Sequence, residues 1–344
     1  MRFYEITLTP RAAFGTPLAG DTLFGHFCWQ AAYDPTLLTG GLEAQLARYG
    51  EAPFAVFSSA WPRFTQNGRV TYAVRRPDLP LEWLSPPPAG SRYQRLVHLK
   101  EVKKKSWILL EEDLRLDPTR LVDDPTLAEL LLSQAPPVSQ RLCRRAGAQQ
   151  PLVFWEQPHN TINRQTLTTG EPPFAPYTQE VHYYLPGTEL ALFVLLDEAA
   201  TDIERLCRGL ARIGQTGFGK DASLGLGRFE LTGHRELTVP SSPDANALFT
   251  LAPCVPSPGS FSEGYFTPLV RYGKHGDRLA TSKNPFKAPV VMAAAGAVFM
   301  PTEPQALTRP YFGRAVTGVS LVQPKAVAQG FAPVLPIKVE VPHE

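Results

Sequence analysis

Residues 214–228 read GQTGFGKDASLGLGR. Two Gly-x-Gly pairs, Gly217/Gly219 and Gly225/Gly227, enclose five residues that include Lys220 and Ser223. An amphipathic helix is predicted to run into this stretch. Thr201-Asp202-Ile203-Glu204 has the form of a capping box, with Thr201 capping and Glu204 reaching back. Ile203, Leu206, Cys207, Leu210 and Ile213 then recur at helical spacing as one apolar stripe. Asp202 and Glu204 come early and Arg205, Arg208 and Arg212 late, as the helix dipole prefers. Gly214 is predicted to stop the helix, and a strand is predicted to leave the loop at Arg228–Leu231. Glycines carry no Cβ to hold a ligand away, and successive main-chain amides can converge on an anion. Lys220 and Arg228 add charge for phosphate, and Phe218 either stacks on a base or is buried. The spacing is neither Gly-x-Gly-x-x-Gly nor Gly-x4-Gly-Lys-Ser/Thr, and the loop follows a helix instead of opening one. That counts against a dinucleotide or a P-loop nucleotide. A loop laid along a polyanion fits better.

Outward from the loop, Glu189–Leu196 (ELALFVLL) reads as a strand buried on both faces. Near the N-terminus, Phe3–Thr9 alternates as a strand with one buried face. Asp21 is placed to cap a helix over Thr22–Tyr33, whose buried stripe is Leu23, Phe24, Phe27, Cys28 and Ala31. Thr22, His26, Trp29 and Tyr33 fall on its other face. A short helix at Gly41–Tyr49 and a strand at Phe54–Ser58 follow. From Trp61 to Glu180 the periodicity weakens, prolines cluster and lysines run through 100–105; only Leu127–Ser133 looks helical there. A stretch of that length is expected to be an insertion with its own job. Without it, the order is βαββαβ, that of a ferredoxin-like fold. Residues 240–246 read as a linker. Strands are predicted at Leu248–Ala252, Tyr265–Tyr272, Val290–Phe299 and Ala332–Val341. The expected fold is α+β: an N-terminal ferredoxin-like domain over 1–238 with an insertion at about 61–180, and a second, degenerate copy over 239–344.

The 344 residues are 43% hydrophobic and carry a net charge of +2, enough apolar material for sizeable cores and too little charge for a uniformly basic surface. Residues 61–170 hold sixteen lysines and arginines against eleven acids, so positive charge gathers in the least regular part. The four cysteines (Cys28, Cys143, Cys207, Cys254) make no Cys-x-x-Cys pair. They read as reduced residues of a cytoplasmic protein without zinc-ligand spacing. The chain starts directly on a strand, with no signal-peptide segment. Its longest apolar run, Pro289–Met300, is too short to span a bilayer.

Three stretches together carry a resemblance: Phe14–Trp29 (FGTPLAGDTLFGHFCW), Gly217–Gly227, and His159–Thr166 (HNTINRQT). The chain resembles the RAMP proteins of CRISPR effector complexes, most closely subunit four of the type III-A Csm complex, a relative of the fifth Cas family. The likeness covers essentially residues 1–232. It implies two ferredoxin-like halves and a thumb-like hairpin from the first. It implies a cytoplasmic antiviral-defence subunit that binds the 5′ handle of the CRISPR RNA (crRNA). It also implies contacts with the large polymerase-like signalling subunit and with the neighbouring RAMP backbone subunit, and no cofactor or catalytic role.

Under that reading Gly217, Gly219, Gly225 and Gly227 allow close backbone approach, while Lys220, Ser223 and Arg228 contact phosphates; such contacts position a strand without reading its sequence. Phe218 would stack a base. His159, Asn163, Arg164 and Thr166, in a loop or hairpin, offer donors to phosphate or 2′-OH groups. The lysine run 100–105 and Arg141, Arg144 and Arg145 are either solvated edges or electrostatic attraction for RNA. His26 is read as structural or RNA-binding. The alternative is a metal-independent CRISPR repeat endoribonuclease in which His26 is the general base; no lysine or tyrosine cluster completes that site.

Overall fold

Strand β1 (Arg2–Pro10) lies between two strands that come from beyond residue 188. A computed structural model describes residues 1–340, so Val341, the expected end of the last strand, lies outside the described residues. After β1 the chain forms helices α1 (Gly20–Tyr33) and α2 (Gly41–Arg48), then β2 (Ala55–Gln66) and β3 (Arg69–Arg75). Next come α3 (Leu81–Leu84), α4 (Arg92–Lys104), β4 (Trp107–Leu110), β5 (Leu121–Val122), α5 (Asp124–Leu132) and α6 (Pro137–Arg145). A hairpin of β6 (Leu152–His159) and β7 (Tyr177–Tyr184) leads to β8 (Glu189–Leu196), α7 (Ile203–Thr216) and β9 (Phe229–Leu237).

The main sheet has seven antiparallel strands in the order β5-β4-β3-β2-β8-β1-β9. The apolar run of β8 sits between β2 and β1, which explains burial on both its faces. Helix α1 connects β1 to β2 and α7 connects β8 to β9, and the two helices pack together. A Cβ at Gly209 of α7 would sit 2.6 Å from the Phe27 ring of α1, so the close approach of the helices requires glycine there.

Residues 61–180 are far more regular than expected. Residue 61 falls inside β2, and β3, β4 and β5 extend the main sheet through Tyr72, Ala73, Val74 and the buried Trp107–Leu110. These short strands are held by pairing across the sheet, which leaves little local pattern. The small helix expected at Leu127–Ser133 is α5, started by Asp123, whose side chain accepts the Thr126 N–H at 3.0 Å. The β6–β7 hairpin, which runs past residue 180 to Tyr184, is a two-stranded sheet of its own.

Two helix starts differ from expectation. Asp202, and not Thr201, caps α7 by accepting the Arg205 N–H at 2.8 Å; the Thr201 hydroxyl donates to the Leu37 carbonyl. Asp21 lies in the first turn of α1 and forms a bidentate pair with Arg271, at 2.6 and 3.0 Å. Helix α7 also runs past Gly214 to Thr216, because Gly214 packs against the Phe229 main chain.

Beyond residue 238 the strands are β10 (Ala247–Thr250), β11 (Phe261–Tyr265), β12 (Pro268–Arg271), β13 (Val290–Ala293), β14 (Val298–Pro301), β15 (Tyr311–Gly313) and β16 (Phe331–Ile337). Two strands predicted as continuous are each broken in two, at residues 266–267 and 294–297. Five of these strands form a sheet in the order β11-β14-β10-β16-β15, and β12 pairs with β13. Among the described residues this part has only 3-10 turns for helix. Part of its core is continuous with that of the main sheet, through Phe249, Leu251, Phe331 and Leu335, while Leu248, Cys254, Phe299 and Phe312 gather in a second cluster. The Trp61 indole N–H also donates to the Leu251 carbonyl at 3.1 Å. No described helix is long and apolar enough to cross a membrane. The four cysteines are unpaired thiols, and burial pushes Cys28, Cys207 and Cys254 up to about 12.

Candidate nucleic-acid interface

Helix α7 ends at Gly217, whose N–H still reaches the Ile213 carbonyl at 2.8 Å while its φ of +104° turns the chain away. A Cβ at Gly217 would meet the Leu226 carbonyl at 2.5 Å, and one at Gly227 would collide with the Phe218 main chain. These two glycines let the loop close on itself. At Gly219 a Cβ would meet the Thr16 side chain, whereas at Gly225 it would enter open space.

The loop's amides point mostly inward, contrary to the expected anion cradle. Phe218 N–H donates to Gly227, Gly227 N–H to Ala13, and Gly225 N–H to Ala222. Gly219 N–H donates to His26 Nε2 at 3.1 Å, and Lys220 N–H to Thr16 Oγ1 at 2.9 Å. The glycines are there for packing and turning. Among the described residues, the loop amides without an acceptor are those of Asp221, Ala222, Ser223 and Arg228. Lys220, Ser223, Leu224 and Arg228 are exposed around them. Lys220 Nζ lies 3.9 Å from the Asp221 carboxylate.

Phe218 is wholly buried, so it packs and does not stack on a base. Its ring lies 4.7 Å from that of His26. The imidazole is half-buried; burial, with the Lys287 charge as a lesser cause, lowers its pKa to about 4. His26 is therefore neutral near pH 7, and its Nε2 lone pair is taken by the Gly219 amide. That engages the atom a general base would use, and it makes His26 a brace of the loop.

The structure brings the three recognised stretches to one surface. Phe14 exchanges both main-chain hydrogen bonds with His182 of β7, at 2.9 Å each. Gln179 of β7 donates from Nε2 to the Asp221 carboxylate at 2.6 Å. Gln179 pairs with Gln157, and two residues farther along the hairpin His159 pairs with Tyr177, ring stacked on ring at 5.3 Å. Asn163, Arg164 and Thr166 lie in the turn beyond. Asn163 Oδ1 accepts the Gln165 N–H, the Thr166 and Thr168 hydroxyls share a hydrogen bond, and Arg164 is exposed.

Sequence reasoning missed two members of this surface, Phe154 and Trp155 of β6, which are 57% and 60% exposed. Adjacent strand residues point to opposite faces, so both faces of β6 present an aromatic ring. The signal was the run Val153-Phe154-Trp155 beside a polar partner strand. The other basic groups lie elsewhere: Lys100–Lys104 close α4, where Lys104 pairs with Glu101, and Arg144 of α6 pairs with Glu129.

No family model and no curated protein matches the chain. Solved structures do. A chain of the Csm1-Csm4 cassette in complex with cA4 aligns over 100% of both chains with a TM-score of 0.53 at 14% identity. A chain of the Csm3-Csm4 subcomplex in the type III-A CRISPR-Cas interference complex aligns over 98% of this chain and 100% of that one, with a TM-score of 0.53 at 12% identity. The Csm1-Csm4 cassette in complex with pppApApA gives 0.51 at 15% identity. The component common to these assemblies is Csm4, and at such identities the likeness is one of fold. The chain has the fold of these type III-A CRISPR-Cas effector components, as the resemblance of its sequence to RAMP subunit four implied.

Proposed function

We propose that this protein is a non-catalytic RNA-binding subunit of a type III-A CRISPR interference complex that grips the 5′ handle of the CRISPR RNA. The observation that carries the reading is the convergence of three distant stretches, 13–16, 179–182 and 217–228, on one surface. Lys220, Ser223, Arg228 and the amides of residues 221–223 are the donors offered to phosphates there. Arg164, Asn163, His159 and Thr166 continue the surface along the hairpin, which plays the thumb. The strand order β2-β8-β1-β9 with α1 and α7 as crossovers supports a ferredoxin-like first half; the five-stranded sheet would be its degenerate counterpart. The solved relatives pair Csm4 with Csm1 and with Csm3. Equivalents of those two, the large signalling subunit and the backbone subunit, are the proposed neighbours.

The test measures handle-RNA affinity of the assembled complex. Lys220→Ala together with Arg228→Ala is expected to weaken binding about tenfold, and to make its salt dependence shallower, since each lost phosphate contact lowers the slope by ~0.7 for a single strand. Gly225→Glu sets a negative charge in open space and is expected to act in the same direction. Unchanged affinity in both variants overturns the assignment. Repeat RNA incubated with the purified protein in EDTA is expected to remain intact; cleavage lost in His26→Ala would establish the endoribonuclease instead.

A further inference from the structure

A cavity of about 440 Å³ lies between α1, α2 and the loops of the C-terminal half. Pockets of roughly 300–1,000 Å³ with mostly apolar walls and a few polar groups are the usual form of small-molecule sites. Trp29 and Cys28 of α1 and Leu42 and Leu46 of α2 line one side; Leu279, His275 and Lys287 line the other. The Lys287 ammonium has no ion-pair or hydrogen-bond partner among the described residues. The nearby Asp21 carboxylate is already held by both arms of Arg271. His275 is held in place by the Ser320 hydroxyl at 2.6 Å. Lys325, at the rim, is neutralised by Glu43 at 2.7 Å.

Two glycines shape the space. Gly25 sits in the middle of α1, where glycine weakens a helix, yet a Cβ there would touch nothing within 4 Å. At Gly273 a Cβ would press on the Lys287 stem at 3.1 Å, so the missing side chain lets that stem lie against the main chain. Burial lowers the Lys287 pKa, as it does for a cation set in a largely apolar wall with no counter-ion in contact.

We propose that this cavity binds a nucleoside 5′-phosphate, free or at the end of an RNA strand. Lys287 meets the phosphate and the indole of Trp29, itself stacked on Tyr33, offers a face to the base. The cavity is lined by other residues than the glycine loop, which meets α1 through His26, and the proposal does not depend on the handle-binding reading.

The experiment titrates the full chain with adenosine 5′-monophosphate by calorimetry, then with one short RNA bearing either a 5′-phosphate or a 5′-hydroxyl. Wild-type protein is expected to bind the monophosphate. Lys287→Gln is expected to weaken that binding at least tenfold. Gly25→Leu, whose Cβ meets nothing within 4 Å and whose side chain extends into the cavity Gly25 lines, is expected to abolish it while leaving the melting temperature unchanged or higher. A free nucleotide as natural ligand leaves the two RNAs equal; an RNA end as ligand makes the 5′-phosphorylated strand bind tighter by a margin that Lys287→Gln removes. Absence of monophosphate binding to the wild type, or equal binding by both variants, overturns the proposal. The handle reading stands or falls separately, on handle-RNA binding by the assembled complex.

Discussion

Gln329 holds both main-chain polar groups of Phe57: its Oε1 accepts the Phe57 N–H at 3.0 Å and its Nε2 donates to the Phe57 carbonyl at 2.8 Å. Phe57 lies opposite Val194 of β8, but β3 pairs with β2 only from Arg63 onward, so the other edge of β2 at Phe57 has no strand beside it. A side chain from the C-terminal half completes a strand of the N-terminal half. Gln329→Leu strands two buried backbone groups at about 1–3 kcal/mol each. A loss of about 2–5 kcal/mol in urea unfolding is the expected outcome, with one cooperative transition for both halves before and after.

His26 makes stability fall with acid. Its folded pKa of about 4 lies below the ordinary value of 6.5, so the unfolded chain binds more protons between those limits. Its contribution is complete above pH 6.5 and is lost as pH drops towards 4, by about 3 kcal/mol at most. His182 and His275 shift in the same direction, also by burial. Unfolding free energies at pH 7.5 and 4.5 for wild type and His26→Gln isolate this contribution: the variant is expected to lose about 2.5 kcal/mol less.

Glu5, 1% exposed, is surrounded by Arg63 Nε at 2.8 Å, Arg235 Nε at 2.6 Å and the Tyr72 hydroxyl at 2.7 Å. This cluster ties β1, β2, β3 and β9 across one face. Glu5→Gln leaves two guanidinium groups short of their shared counter-charge, and breaking a buried pair on one side costs about 3–5 kcal/mol. Thermal melting is expected to register a large drop, with Glu5→Asp falling between wild type and Glu5→Gln.

The loop glycines separate into two kinds. Gly227→Ala places a methyl in the Phe218 backbone at φ +72° and is expected to destabilise far more than Gly225→Ala, where the residue has φ +94° but open space. The latter is expected to cost about 1–2 kcal/mol, from backbone strain alone. Differential scanning calorimetry of the two variants reads the contrast.

Phe154 and Trp155 are exposed, so Trp155→Ser is expected to leave stability within about 0.5 kcal/mol. Handle-RNA affinity of the complex is expected to fall by about 1–3 kcal/mol if the ring stacks on a base. RNA quenching of the tryptophan emission that wild type has and Trp155→Ser lacks gives the same information directly.

The strongest local signals are legible in the sequence. The apolar run of Glu189–Leu196 and the stripe of Ile203–Ile213 carry their burial in residue type and spacing. The first strand and first helix stand within a residue or two of the bounds their residue pattern predicts. What escaped was non-local. Thr201 and Asp202 are both competent caps, and the choice turned on a carbonyl from Leu37. Asp21 reads as a cap until Arg271 arrives from the other half. The strand at 107–110 is very short, and both it and 69–75 are buried on both faces at their centres, so neither shows an alternating face without its partners. At the site, glycine density marked the loop and Lys220 its exposed edge. Which way the amides face depended on Thr16, His26 and Ala13, contacts no spacing within the loop encodes.

The position of β1 has a further consequence for synthesis. Its two hydrogen-bonding edges belong to β8 and β9, so nothing translated before residue 189 can zip onto it. A ribosome-bound chain ending near residue 188 would hold an unfinished sheet with bare edges, open to association with other nascent chains. Completion must wait for the stretch that ends at Leu237, and the slow long-range closure of that sheet is expected to set the pace of maturation.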